Sequence, residues 1–108
     1  MVDSIQVQLK KGALDLCVLA VLSRGESYGY EIASNLVAAV AMGEGTIYPL
    51  MRRMQNDGLV ATRLVESSSG PPRKYYRLTQ EGRSVFEAHR KEWRFFVGAV
   101  DKLLEDLP

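Results

Sequence analysis

Tyr48, Arg52, Arg53, Gln55 and Asn56 fall on one short segment whose apolar residues keep helical spacing. Ile47, Leu50, Met51 and Met54 follow the i, i+3, i+4, i+7 pattern of a buried stripe, which leaves the polar residues on the opposite face. A phenol, two guanidiniums and two amides, with no acid among them, suit phosphate oxygens and base edges. The bland alternative is a solvated amphipathic helix with two incidental arginines. Thr46 is expected to cap this helix, its hydroxyl accepting a first-turn N–H. Pro49 is expected in that first turn, where a missing N–H costs little, and Asp57-Gly58 should end the helix.

Other chemistry is thinly represented. The chain has one cysteine and one histidine, no glycine-rich loop ending in Gly-Lys-Ser/Thr and no metal-spaced Cys/His set. No catalytic residue, metal or cofactor is therefore expected. Cys17 lies in an apolar helical run and reads as a buried, inert thiol, and a single cysteine points to a reducing compartment. The N-terminus lacks a basic signal-peptide start, and the longest apolar run, Leu16 to Leu22, is too short to cross a bilayer, so the expected location is cytoplasmic with no membrane partner.

The net charge of +1 hides an uneven distribution. Residues 52–80 carry Arg52, Arg53, Arg63, Arg73, Lys74 and Arg77 against Asp57 and Glu66, a balance of +4, whereas both flanking segments are slightly acidic. A basic block of this kind is the footprint of an anionic partner, here double-stranded DNA.

The elements that must position these residues can be read in chain order. Residues 1–8 form a polar lead. Leu9 to Leu22 predicts a helix apolar over more than one face, which is hard to bury in a small monomer and hints at a second copy. Ser27 should cap a second helix from Tyr28 to about Ala41, with Ile32, Ala33, Leu36, Val37 and Val40 buried. The turn Met42 to Gly45 then leads into the helix described above, giving a helix-turn-helix in which the second helix reads DNA. Leu59–Val65 and Arg73–Leu78 read as strands around a loop at Ser67–Pro72, a wing flanked by Arg63, Arg73 and Lys74.

Thr79 should cap a last helix to about Leu107. Along it Phe86, His89, Trp93, Phe96, Val100, Leu103 and Leu107 alternate steps of three and four, a heptad seam widened by Val85, Val97 and Leu104. Such a seam needs a partner surface, and a symmetry-related copy supplies one. Leu14, Val18, Phe86, Trp93, Phe96, Val100, Leu103 and Leu107 are the expected dimer residues. His89, on this seam, reads as a packed residue rather than a base or ligand. Trp93 has two readings: core packing, or, with His89 and Phe96, part of a two-fold pocket for a planar aromatic guest.

The expected fold is mainly α with a small β-hairpin wing. It comprises the lead (1–8), a winged helix-turn-helix (9–80) and a C-terminal dimerisation helix (81–108). A winged-helix module for protein contact, without sequence-specific DNA binding, is the alternative function.

The ordered motifs Gly45-Thr46-Ile47-Tyr48-Pro49-Leu50-Met51-Arg52-Arg53-Met54, Asp57-Gly58-Leu59-Val60, and Pro72-Arg73-Lys74-Tyr75-Tyr76-Arg77-Leu78-Thr79 with Gly82 resemble the PadR-like transcriptional regulators. Tyr28-Gly29-Tyr30-Glu31-Ile32 is similar as well. The resemblance spans Leu9 to Leu107, and the single C-terminal helix is like that of the family's short subfamily. It implies a homodimeric repressor on a palindromic operator, with Thr46, Tyr48, Arg52 and Arg53 contacting DNA from the reading helix and Arg73 and Lys74 from the wing. It also implies an effector class, since some members release DNA on binding phenolic acids or planar cationic drugs. The Ser-rich, Pro-Pro-containing wing tip departs from the family pattern.

Overall fold

In a computed structural model that describes residues 9, 10, 12–105 and 107, the chain runs α1 (Leu14–Ser23), β1 (Ser27–Tyr28), α2 (Gly29–Val40), α3 (Glu44–Asn56), β2 (Val60–Ser67), β3 (Gly70–Leu78) and α4 (Gln80–Glu105). The polar lead at residues 1–8 lies outside the described residues.

The first helix is shorter than its apolar pattern predicts. Leu9 and Lys10 are helical, but the Ala13 N–H donates to the Lys10 carbonyl at 2.9 Å in a turn, and a separate helix begins at Leu14. Gly12, a weak helix former, sits at the break. One side of the apolar girth of α1 is covered within the single chain, and the other is half-buried. Leu16, Val18, Leu19 and Leu22 are buried, Leu14, Cys17, Ala20 and Val21 pack partly against the same core, and α1 touches α2, α3, β3 and α4. The start of α4 folds back over α1 and brings Phe86 into the core, so Leu16, Val18, Leu19 and Leu22 are buried without a second copy.

The α2 helix buries Ile32, Ala33 and Leu36, while Val37, expected inside, is exposed because α2 packs on one side only. Ser27 is not its cap. Tyr28 flanks the helix without a side-chain cap, and the Ser27 hydroxyl donates instead to Glu31 Oε1 at 3.2 Å. Ala41 closes α2 in the left-handed conformation, φ 54°, with the Met42 N–H donating to the Leu36 carbonyl at 3.3 Å. That reversal drops Met42 into the core and starts α3 after Gly43.

The α3 helix begins earlier than expected. Gly43 is its flanking residue, so Thr46 stands third in the helix rather than at the cap, and Pro49 lies inside it. A proline there removes the N–H that would bond the Gly45 carbonyl. Gly45 faces solvent, so water can take that bond in its place. The stop is as predicted: Gly58 takes φ 78° and the Leu59 N–H donates to the Met54 carbonyl at 3.0 Å.

The strands form an antiparallel sheet in the order β1-β3-β2. Ser27 pairs with Tyr76 and Tyr28 with Tyr75, a two-residue strand too short to show any sequence periodicity. The wing strands run further than predicted, leaving Ser68-Ser69 as the turn. Pro71 and Pro72 belong to β3, but beyond the part paired with β1 and beside an irregularity in the β2 register, where a missing ladder donor is tolerated.

Thr79 caps α4 as expected. The Gly82 N–H donates to its Oγ1 at 2.9 Å, and the same hydroxyl donates to the Gly58 carbonyl at 2.7 Å. Gly82 is where α4 crosses the end of the reading helix's exit: a Cβ there would lie 1.9 Å from the Leu59 carbonyl oxygen. Past Phe86, α4 leaves the domain. The molecule extends 59 × 33 × 22 Å, with a radius of gyration of 16.2 Å, against about 13 Å for a globular chain of this length.

Candidate nucleic-acid interface

At 100° per residue, Gly45, Pro49, Arg52 and Asn56 form the ridge of α3 opposite its buried stripe Ile47, Leu50, Met51 and Met54. All four are exposed. Thr46 and Arg53 lie on one flank of this ridge, and Tyr48 and Gln55 on the other. The expected reading residues are therefore not equivalent. Arg52 stands on the ridge and reaches outward. Tyr48 is half-buried, its ring edge 3.4 Å and its hydroxyl 4.0 Å from the place a Cβ would occupy at Gly29, so it packs against the start of α2. Gln55 Nε2 donates to Thr62 Oγ1 at 3.2 Å, tying the reading helix to β2. Pro49 and Asn56 were legible as outward-facing but were not counted as contacts. The ridge geometry shows that both are exposed beside Arg52.

Two of the expected cations are taken up inside the chain. Arg53 Nη2 donates to both carboxylate oxygens of Asp15, at 2.8 and 2.7 Å. Arg63 makes a planar fork with Glu26, Nε to Oε2 at 2.8 Å and Nη2 to Oε1 at 2.6 Å. The Arg63 hydrogen bond holds the Glu26 carboxyl below its usual range, and the same contact raises the guanidinium. Arg63, expected beside phosphates, is thus paired instead with the loop before β1.

The pleat of β3 separates Arg73 from Lys74. Lys74 shares a face with Tyr76, Thr62 and Leu64, the face joined to α3 through Gln55, and its Nζ is 5.5 Å from the Tyr76 ring centre. Arg73 is on the reverse face, with its guanidinium 4.7 Å from the Tyr28 ring, beside Tyr75 and Tyr30. Burial raises the Tyr76 phenol. Arg52, on the exposed ridge of α3, and Lys74, on the sheet face joined to that helix, are thus two cations with no acidic partner among the described residues.

The predicted seam divides at Phe86. Val18 and Phe86 serve the chain's own core and Leu14 is half-buried against it, so Val18 and Phe86 present little surface to a partner. His89 and Val100 are half-buried, whereas Trp93, Phe96, Leu103 and Leu107 are exposed, Leu103 by 78%. Trp93 is not part of the single-chain core. Phe95, off the seam and 76% exposed, is an apolar residue the heptad pattern did not pick out.

A helix, a three-residue turn, a second helix with an exposed basic ridge, and a hairpin closing a three-stranded sheet make this a winged helix-turn-helix protein. The sequence model of the PadR-like family of transcriptional regulators matches residues 18–88, and the chain belongs to that family. It is a DNA-binding transcription regulator rather than an enzyme. Its fold is similar to that of a PadR-like regulator from Bacillus cereus, 38% identical, with 93% of this chain and 99% of the other aligned at a TM-score of 0.83. A PadR-family regulator from Eggerthella lenta is 37% identical over 94% of this chain and 89% of its own, TM-score 0.81. One from Bacteroides fragilis is 36% identical over 94% and 99%, TM-score 0.75. Among the described residues no helix is long and apolar enough to cross a membrane.

Proposed function

We propose that the chain works in the cytoplasm as a homodimeric repressor, with paired α3 helices docking in successive major grooves of a palindromic operator. The observation that carries this is the outer half of α4. Trp93, Phe96, Leu103 and Leu104 form an apolar stripe that one chain leaves in water, with Leu107 exposed just past the helix, and exposed stripes of this extent mark an interface. Two copies joined along it present two reading helices; half-sites about one helical turn apart, ~34 Å, fit that arrangement. Thr46, Tyr48 and Arg52 are the α3 contacts and Lys74 the wing contact, with Arg73 available to the backbone from the reverse face. Selection of bound sites from random duplex DNA, with sedimentation to count chains, tests the reading. A two-fold symmetric site bound by a dimer is expected; a soluble monomer at micromolar concentration, or unselective binding, would overturn it.

A planar aromatic effector between the two copies is a second element of the proposal, favoured by the exposure of Trp93 and Phe96 beside His89. A planar cationic dye should quench Trp93 fluorescence with micromolar affinity, and Trp93→Ala should abolish dye binding while the protein stays folded. Collapse of Trp93→Ala with no quenching of the native protein by any of a panel of dyes would remove the effector.

A further inference from the structure

Arg53 is one residue beyond the outermost arginine of the reading helix, yet its guanidinium turns back to Asp15 in the first turn of α1. Both groups are about half exposed, 57% and 46%, so the pair sits at the rim of the basic surface rather than in the core. Asp15 is doubly suited to hold a cation there. Its carboxylate offers two oxygens to one guanidinium nitrogen, and it occupies a helix N-terminal turn where negative charge is favoured. A carboxylate in this place offers Arg53 what a DNA phosphate would.

We infer that Asp15 is a positioning residue that withholds Arg53 from DNA, acting as an internal stand-in for a phosphate and so limiting the sequence-independent part of binding. The inference rests on the DNA-binding reading of α3 and deepens it. Phosphate contacts add affinity for every sequence alike, whereas base contacts discriminate. Taking one cation out of the contact set therefore lowers non-specific affinity more than it lowers selectivity.

The test is a set of salt titrations of duplex binding for the native protein, Asp15→Asn, Arg53→Ala and the double variant. Asp15→Asn is near-isosteric at an exposed site, and a thermal melt checks that it is folded. Freed, Arg53 adds one phosphate contact, which steepens the slope of log K against log salt by ~0.9. Over a rise from ~50 to ~200 mM salt, Asp15→Asn should thus lose about threefold more affinity than the native protein. It should also bind unrelated duplexes more tightly at low salt. Removing a negative charge raises affinity through space as well, but that contribution appears equally in the Arg53→Ala background, so the steeper slope must vanish in the double variant. Equal slopes for the native protein and Asp15→Asn, or weaker binding by Asp15→Asn, would overturn the inference and leave the DNA reading standing. A native protein without salt-dependent duplex binding would overturn both.

Discussion

Replacing Gly82 by alanine should destabilise the protein, although alanine is the better helix former. The added Cβ would lie 1.9 Å from the Leu59 carbonyl oxygen, 2.9 Å from its carbon and 3.3 Å from its Cα. These are backbone atoms, and the same stretch is held by the Thr79 N–H donating to the Leu59 carbonyl at 3.1 Å and by the Thr79 hydroxyl bonded to the Gly58 carbonyl. The strain cannot be relieved by turning a side chain; α4 must lift from the start of β2. Overpacking of this kind costs ~1–3 kcal/mol, and an unyielding backbone contact puts Gly82→Ala at the upper end, against a helix-propensity gain of ~1 kcal/mol. A net loss of about 2 kcal/mol corresponds to roughly 8–16 °C in the melting midpoint of a chain this size. Gly98→Ala is the internal control. It lies in the same helix, on the side away from the seam, with nothing within 4 Å of the added carbon, so it should stabilise by up to ~1 kcal/mol. Circular dichroism melts of the two variants at equal concentration read the contrast directly. A Gly82→Ala protein that melts at or above the native midpoint would refute the close crossing, and with it the angle at which α4 carries its exposed apolar stripe away from the reading helix.

Three further outcomes follow from individual contacts. Ala41→Gly should raise stability by ~1 kcal/mol, because Ala41 holds φ 54° where a Cβ is strained; a lower melting midpoint would count against that turn. Arg52→Ala should relax selectivity at one operator position by ~1–3 kcal/mol, whereas Lys74→Ala should weaken all duplexes alike and flatten the salt slope; unchanged binding by both would remove them from the interface. The Glu26 carboxyl is depressed by Arg63, so its folded pKa lies below its unfolded one. The stabilisation is then complete above the ordinary carboxylate range and is lost as pH falls through the lower, folded value. Melts between neutral pH and pH 3 should show a shallower acid decline for Arg63→Ala than for the native protein, and parallel curves would exclude the contribution.

The four α3 core positions, the Gly58 stop, the Thr79 cap and the basic character of residues 52–80 were all legible in the residue order, because each depends on spacing or chemistry within a few residues. Cap placement was less legible where two signals competed. Thr46 looked like the cap and Pro49 like a first-turn residue, yet Met42, drawn into the core behind the αL reversal at Ala41, starts the helix at Glu44. The two-residue strand at Ser27 carries no periodic signal and exists only because β3 offers it an edge.

The sequence by itself determined the winged helix-turn-helix, the reading helix and the heptad seam, since amphipathic period, turn chemistry and charge blocks are local properties of the chain. Tertiary structure decided which side chains are available. Val18 and Phe86 looked like partners for a second copy until α4 folded back over α1, while Trp93 and Leu103, on the same repeat, were left outside. Arg53 and Arg63 read in the sequence as unpaired cations, but folding brings Asp15 and Glu26, each more than thirty residues earlier in the chain, within hydrogen-bonding distance of them. A residue list fixes the charge of a guanidinium, but which anion it meets is set by contacts between segments far apart in sequence.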